Sequence, residues 1–127
     1  MVLNPEKFLV LATVLLRDAE YDEEARYRTC ISRAYYATHL FTREKLKKIG
    51  VVIVVGKDER KGAIHEKVIE ALKGKNAQLG KMLSDLRERR GDADYDLDMK
   101  FSGFSYGIGI DISNAKFIIN EVNKLKK

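Results

Sequence analysis

The chain has no tryptophan, one proline (Pro5) and one cysteine (Cys30) among its 127 residues. A lone cysteine makes no internal disulfide, which fits a reducing compartment. A single proline excludes a proline-rich linker, and 45% hydrophobic residues exclude a disordered composition. No apolar run approaches the roughly twenty residues that span a bilayer. Met1-Val2-Leu3-Asn4-Pro5 has no basic n-region ahead of a cleavage site, so a secretory leader is not expected. Histidine is scarce as well. His39 and His65 have no Cys, His, Asp or Glu partners at ligand spacing, so no metal is expected. No glycine-rich phosphate loop follows a strand and no Gly-x-Ser-x-Gly elbow occurs, which removes the common nucleotide-cofactor and hydrolase designs. No cofactor is expected, and the location expected is cytoplasmic.

What is present fits one domain over residues 1–127. Lys plus Arg is 24 and Asp plus Glu is 19, a net charge of +5. That permits an anionic partner without requiring one.

The apolar spacing is helical nearly throughout. Asn4-Pro5-Glu6 is a helix start, and Phe8, Leu9, Leu11, Ala12, Leu15 and Leu16 carry a first helix from about residue 5 to about 19. A second, longer helix begins near Asp22 and reaches about Lys48, with Gly50 as its stop. Val51 to Val55 is β-branched but has no partner strand, so an extended apolar loop or short β-arm is expected there. A third helix runs from Ala63 to about Lys73, ended by Gly74. Asn76 caps a fourth that reaches about Arg90. Gly91 to Gly109 reads as turn-rich, and a last helix runs from about Asp111 to Lys126. The fold class is therefore all-α, an up-and-down bundle of four to five helices.

Two polar clusters interrupt this pattern. Thr29, Ser32, Arg33, Tyr36, His39 and Arg43 form a stripe on the second helix. Residue types alone make this a solvated face. The adjacent pair Tyr35-Tyr36 does not fit it, because neighbouring helical residues point about 100° apart. One ring is expected inside with its hydroxyl tied, and the other at a groove. The second cluster comprises Arg87, Arg89, Arg90, Asp92, Asp94, Tyr95, Asp96 and Asp98. It reads either as basic residues at a helix C-terminus followed by a solvated turn, or as an Arg90–Asp94 network at a mouth between helices.

Ser32-Arg33-Ala34-Tyr35-Tyr36-Ala37 on a long second helix, followed by Arg90-Gly91-Asp92-Ala93-Asp94-Tyr95-Asp96 after the fourth, resembles the HEPN (higher eukaryotes and prokaryotes nucleotide-binding) domain, in particular its small stand-alone prokaryotic and archaeal members. The resemblance extends over nearly the whole chain. It implies a HEPN-like bundle that forms a homodimer and pairs with a minimal nucleotidyltransferase as toxin and antitoxin. It also implies a nucleotide- or RNA-binding groove lined by Arg33, Tyr36, Arg90, Asp94 and Tyr95. Many members are metal-independent ribonucleases whose signature is an arginine followed, four to six residues on, by a histidine. Here the stretch after Arg90 offers Asp94 and Tyr95 and no histidine, so the family's catalytic histidine does not carry over. Arg60 and His65 satisfy the bare spacing ahead of the third helix, and His39 is the other proton carrier available near neutral pH. The alternatives are thus an endoribonuclease toxin using His65, Arg60 or His39, and a plain helical interaction module built on the alanines of the second helix and the Val51–Val55 arm. In related pairs a tyrosine beyond the motif is adenylylated by the partner, which makes Tyr95 the modification candidate. The structural alternative for Tyr95 is a packed ring whose hydroxyl meets Arg33 or Asp94.

Overall fold

A computed structural model describes residues 3–57, 59–60 and 62–127. It contains five helices: α1 (Glu6–Leu15), α2 (Glu23–Lys48), α3 (Ala63–Lys75), α4 (Ala77–Tyr95) and α5 (Ser105–Asn123). Among the described residues there is no strand. At 26 residues α2 is about 39 Å long, and it is the spine against which the other four helices pack.

The signals that start and stop α2 act as the sequence leads one to expect. The Asp22 side chain accepts the Ala25 N–H at 2.9 Å. Glu23 and Glu24 sit in the first turn and Lys45, Lys47 and Lys48 in the last, complementing the helix dipole. Gly50 then adopts φ +90°, a conformation costly for any residue with a Cβ. Ile31, Tyr35 and Leu46 from α2 meet Leu72, Leu83, Ile108 and Ile118 in a fully buried core.

Asn76 makes the tightest corner. It ends α3 in an extended conformation and accepts the Leu79 N–H at 3.1 Å as the cap of α4. The two helices then lie so close that a Cβ on Gly80 would sit 2.8 Å from the Lys73 backbone N and Cα. Backbone does not yield as a side-chain tip does. Gly80→Ala is therefore expected to destabilise the protein by about 1–3 kcal/mol despite alanine's better helix propensity. Urea denaturation would measure this, and a stabilised variant would refute the close approach.

Five helix ends differ from the sequence expectation, among them the end of α5, which stops at Asn123 and not at Lys126. Helix α1 stops at Leu15, not near residue 19. The Arg17 and Asp18 N–H groups fall back on carbonyls three residues earlier, and Arg26 of α2 donates to the Leu16 and Asp18 carbonyls. Helix α3 continues through Gly74 to Lys75. Helix α4 continues through Gly91 to Tyr95, because Arg28 of α2 receives its end. Its guanidinium donates to the carbonyls of Ala93 (3.1 Å), Asp96 (2.8 Å) and Met99. Helix α5 begins at Ser105 and absorbs Gly107 and Gly109. Each glycine costs about 1 kcal/mol in a helix. Ile108 between them is fully buried, which returns about 1.5–3 kcal/mol in addition to the hydrogen bonds of the turn.

The described stretch after Gly50 forms neither helix nor strand. Val51 and Ile53 pack on the core edge, while Val52, Val54 and Val55 are exposed. Lys67 holds it by donating to the Val54 carbonyl. Ala34 and Ala37 are fully buried inside the chain, so the alanines of α2 serve its own packing and are not open to a partner.

Candidate functional site

The expected solvated stripe on α2 is split by the structure. Thr29 and Arg43 are exposed, Arg33 and Tyr36 are half-buried, and Ser32 and His39 are buried. The reason is that α3 and α4 pack here against α2, bringing His65 onto His39 and Asp94 to Ser32.

The two tyrosines divide the work as expected from their angular separation. Tyr35 is fully buried. Tyr36 meets it edge-on, with ring centroids 5.6 Å apart, and remains half-exposed. The Tyr35 hydroxyl lies 2.5 Å from His65 Nδ1 at the start of α3. His65 in turn stacks on His39, with centroids 4.2 Å apart and planes at 24°. The core end of the site is thus a packed set of four rings from two helices.

Burial dominates the protonation of this set. It pushes His39 from 6.5 to about 3, helped by His65, Arg43, Arg87 and Arg90. It pushes His65 to about 4, helped by Arg87, Arg90 and Arg43. Burial also raises the Tyr35 phenol, which therefore keeps its proton. A neutral phenol and a neutral imidazole each carry one donor and one acceptor, so the contact is a hydrogen bond whose direction follows the His65 tautomer.

Arg90 joins the rings to the surface. It is 9% exposed, and its guanidinium carbon lies 5.3, 5.5 and 5.9 Å from the ring centres of Tyr35, Tyr36 and Tyr95. Its Nη1 is 3.6 Å from Asp94 Oδ2, one turn further along α4. The same oxygen accepts the Ser32 hydroxyl at 3.3 Å, and Ser32 Oγ accepts Arg33 Nη2 at 3.3 Å. The Arg33 guanidinium carbon lies 5.0 Å from the centre of the Tyr36 ring and 5.2 Å from that of Phe8. Tyr95 is 75% exposed at the rim, so its packed alternative does not hold. His39 Nδ1 and Arg90 Nε are buried without a hydrogen-bond partner.

All five expected groove residues, Arg33, Tyr36, Arg90, Asp94 and Tyr95, are therefore linked through contacts around Arg90 and Tyr36. Both histidines lie directly beneath. Arg60 instead pairs with Glu66 on the surface, and Arg87 reaches the same carboxylate at 3.8 Å. Arg89 faces away and clamps the buried Asp111 of α5 with contacts of 2.7–3.3 Å. Sequence reading missed the histidine stack, because nothing in their spacing shows that α3 returns onto the middle of α2. It also missed Glu24, whose carboxylate accepts the N–H groups of Phe101 and Ser102 and is held down to about 2, chiefly by the Phe101 bond.

Chemically the cluster offers cations over an aromatic ring, with an acceptor at Asp94. Histidines this far depressed are neutral at pH 7 and have little capacity to donate a proton there. No group of three or more His, Cys, Asp or Glu among the described residues is placed to hold a metal ion. No helix among them is long and apolar enough to cross a membrane. Comparison with protein-family models, with curated proteins and with solved structures yields no match.

Proposed function

We propose that this chain is a HEPN-like dimeric protein that binds a nucleotide or RNA in the groove of Arg33, Tyr36, Arg90, Asp94 and Tyr95, and acts with a minimal nucleotidyltransferase in a toxin–antitoxin-type pair. One observation carries the binding reading: Arg33 and Arg90, from different helices, converge on the ring of Tyr36 at 5.0 and 5.5 Å. Half-exposed, that ring is available for a base to stack on, and the guanidinium beside it for a phosphate. Asp94 orients both cations through Arg90 and Ser32. Fluorescence anisotropy with labelled single-stranded RNA tests this. Arg33→Ala is expected to weaken binding about tenfold while leaving the helical circular dichroism intact.

The nucleotidyltransferase partner rests on the family resemblance. Exposure of Tyr95 supports its role as the acceptor, since a modifying enzyme can reach its hydroxyl. Coexpression with such an enzyme, followed by peptide mass spectrometry, is expected to find the nucleotide on Tyr95. An unmodified Tyr95 peptide counts against the switch.

The ribonuclease alternative draws on a different observation, the packing of His39 and His65 under Arg90. Their protonation favours binding over acid–base catalysis at neutral pH. RNA cleavage at pH 7 that disappears in His65→Ala would reverse that order.

A further inference from the structure

The last turns of α2 and the chain that leaves it border a cleft of about 430 Å³, within the size range of small-ligand sites. Gly50 makes it possible. At φ +90° it turns the chain, and the Val51 N–H donates back to the Leu46 carbonyl at 2.9 Å. Val51, Val52 and Ile53 then line the cleft together with Ile64 of α3. Lys67 of α3 fixes the end of that wall by donating to the Val54 carbonyl.

Two cations line the same cleft, Arg43 and Lys47, one helical turn apart on α2. Neither has an ion-pair partner among the described residues. By contrast Lys67 pairs with Glu59, and Arg60 and Arg87 with Glu66. No carboxylate among the described residues lines the cleft. Uncompensated positive charge beside an apolar wall matches a ligand with an anionic head and an apolar body.

We infer that this cleft binds a small amphipathic anion, a medium-chain carboxylate whose head meets Arg43 and Lys47 and whose body lies against Val52, Ile53 and Ile64. Arg43 supplies a planar fork that takes a carboxylate through two hydrogen bonds, and Lys47 a point charge. A nucleotide, whose sugar would face valine and isoleucine, fits this lining less well. The cleft shares no residue with the cluster of Arg33, Tyr36, Arg90, Asp94 and Tyr95. Arg43 lies seven residues beyond Tyr36, about 10 Å along α2. The inference therefore stands whether or not that cluster binds RNA.

Titration of octanoate into isotope-labelled protein, followed by amide NMR shifts, tests it. Saturable shifts are expected over residues 43–53 and at the start of α3. Octanoate is expected to bind about tenfold more tightly than hexanoate, because each methylene moved from water to the wall contributes about fourfold when fully buried. Acetate lacks the body and 1-octanol the charged head, and each is expected to bind at least about tenfold more weakly than octanoate. Arg43→Ala is expected to lose about tenfold and Val52→Asp to abolish the shifts. Lys48→Ala, on the same turn but outside the cleft, is expected to behave as wild type. Arg43 is exposed and Val52 is 82% exposed, so neither substitution removes a core contact, and an unchanged pattern of the remaining amide signals verifies the fold. Absence of saturable shifts with octanoate, acetate or octanol binding as tightly as octanoate, or equal losses in Lys48→Ala and Arg43→Ala would overturn the proposal.

Discussion

Tyr35→Ala is expected to cost about 3–5 kcal/mol, enough to unfold a domain of ordinary stability, whereas Tyr35→Phe costs about 1–2 kcal/mol. The difference between the two separates packing from hydrogen bonding at one position. Alanine leaves a cavity where α2, α3 and α4 meet and removes the ring against which His39, His65 and Arg90 lie. Phenylalanine keeps the ring and deletes only the hydroxyl that bonds His65 Nδ1. Burial and the nearby Arg87, Arg90 and Arg43, which hold the His65 pKa down to about 4, all remain, so in Tyr35→Phe that pKa is expected to stay well below the ordinary 6.5. Urea denaturation gives the two stabilities, and a proton NMR titration of the histidine ring signals gives the pKa. Equal losses for the two variants, or a His65 that returns to 6.5, would contradict packing and burial as the dominant contributions.

The second large effect is loss of stability in mild acid. His39 and His65 ionise near 6.5 when unfolded but only at about 3 and about 4 in the native protein. Between those values the unfolded chain binds more protons, so stability rises with pH and falls as acid is added. The native state has its full advantage above pH 6.5 and loses it progressively toward pH 4. At pH 5 the loss from buried His39 is about 2 kcal/mol, with a smaller share from His65, whose partly exposed ring is screened by solvent. Glu24 acts in a lower window. Held at about 2 against an ordinary 4.5, it contributes stability above pH 4.5 that disappears as pH falls toward 2. Thermal melts from pH 8 to pH 3 are expected to show an early decline that His39→Phe reduces to the smaller His65 share and a later one that Glu24→Gln abolishes. A melting temperature flat between pH 7 and pH 5 would contradict buried neutral histidines.

Both effects arise where chain segments distant in sequence meet, and this divides what the sequence reveals from what it conceals. Asp22, Gly50 and Asn76 act on their own neighbours, so both ends of α2 and the start of α4 are legible. The end of α4 is not, because the group that receives it, Arg28, lies 65 residues upstream of the Ala93 carbonyl. Gly91, Gly107 and Gly109 look like turn residues for the same reason. Burial of Arg90, Ala93 and Ile108 overrides their local preference. The five residues suggested by the motifs do come together around Arg90 and Tyr36, and the angular separation of Tyr35 from Tyr36 is enough to foresee one ring inside and one more exposed. The fate of His39 is hidden, since on a helical wheel it shares a side with Arg43 and Arg33. Only the return of α3 shows that the middle of that stripe is covered.

Binding of a phosphate-bearing ligand by the cations flanking Tyr36, as proposed above, is measured by titrating labelled single-stranded RNA into the wild-type protein, Arg33→Ala and Lys124→Ala at several salt concentrations. Lys124 carries the same charge at an exposed end of α5. Lys45 of α2 reaches that end, donating to the Asn123 carbonyl, about 18 Å along α2 from Arg33. The groove predicts that Arg33→Ala loses about tenfold in affinity and flattens the salt dependence, while Lys124→Ala behaves as wild type. Equal losses in the two variants, or no binding by the wild-type chain, would contradict it.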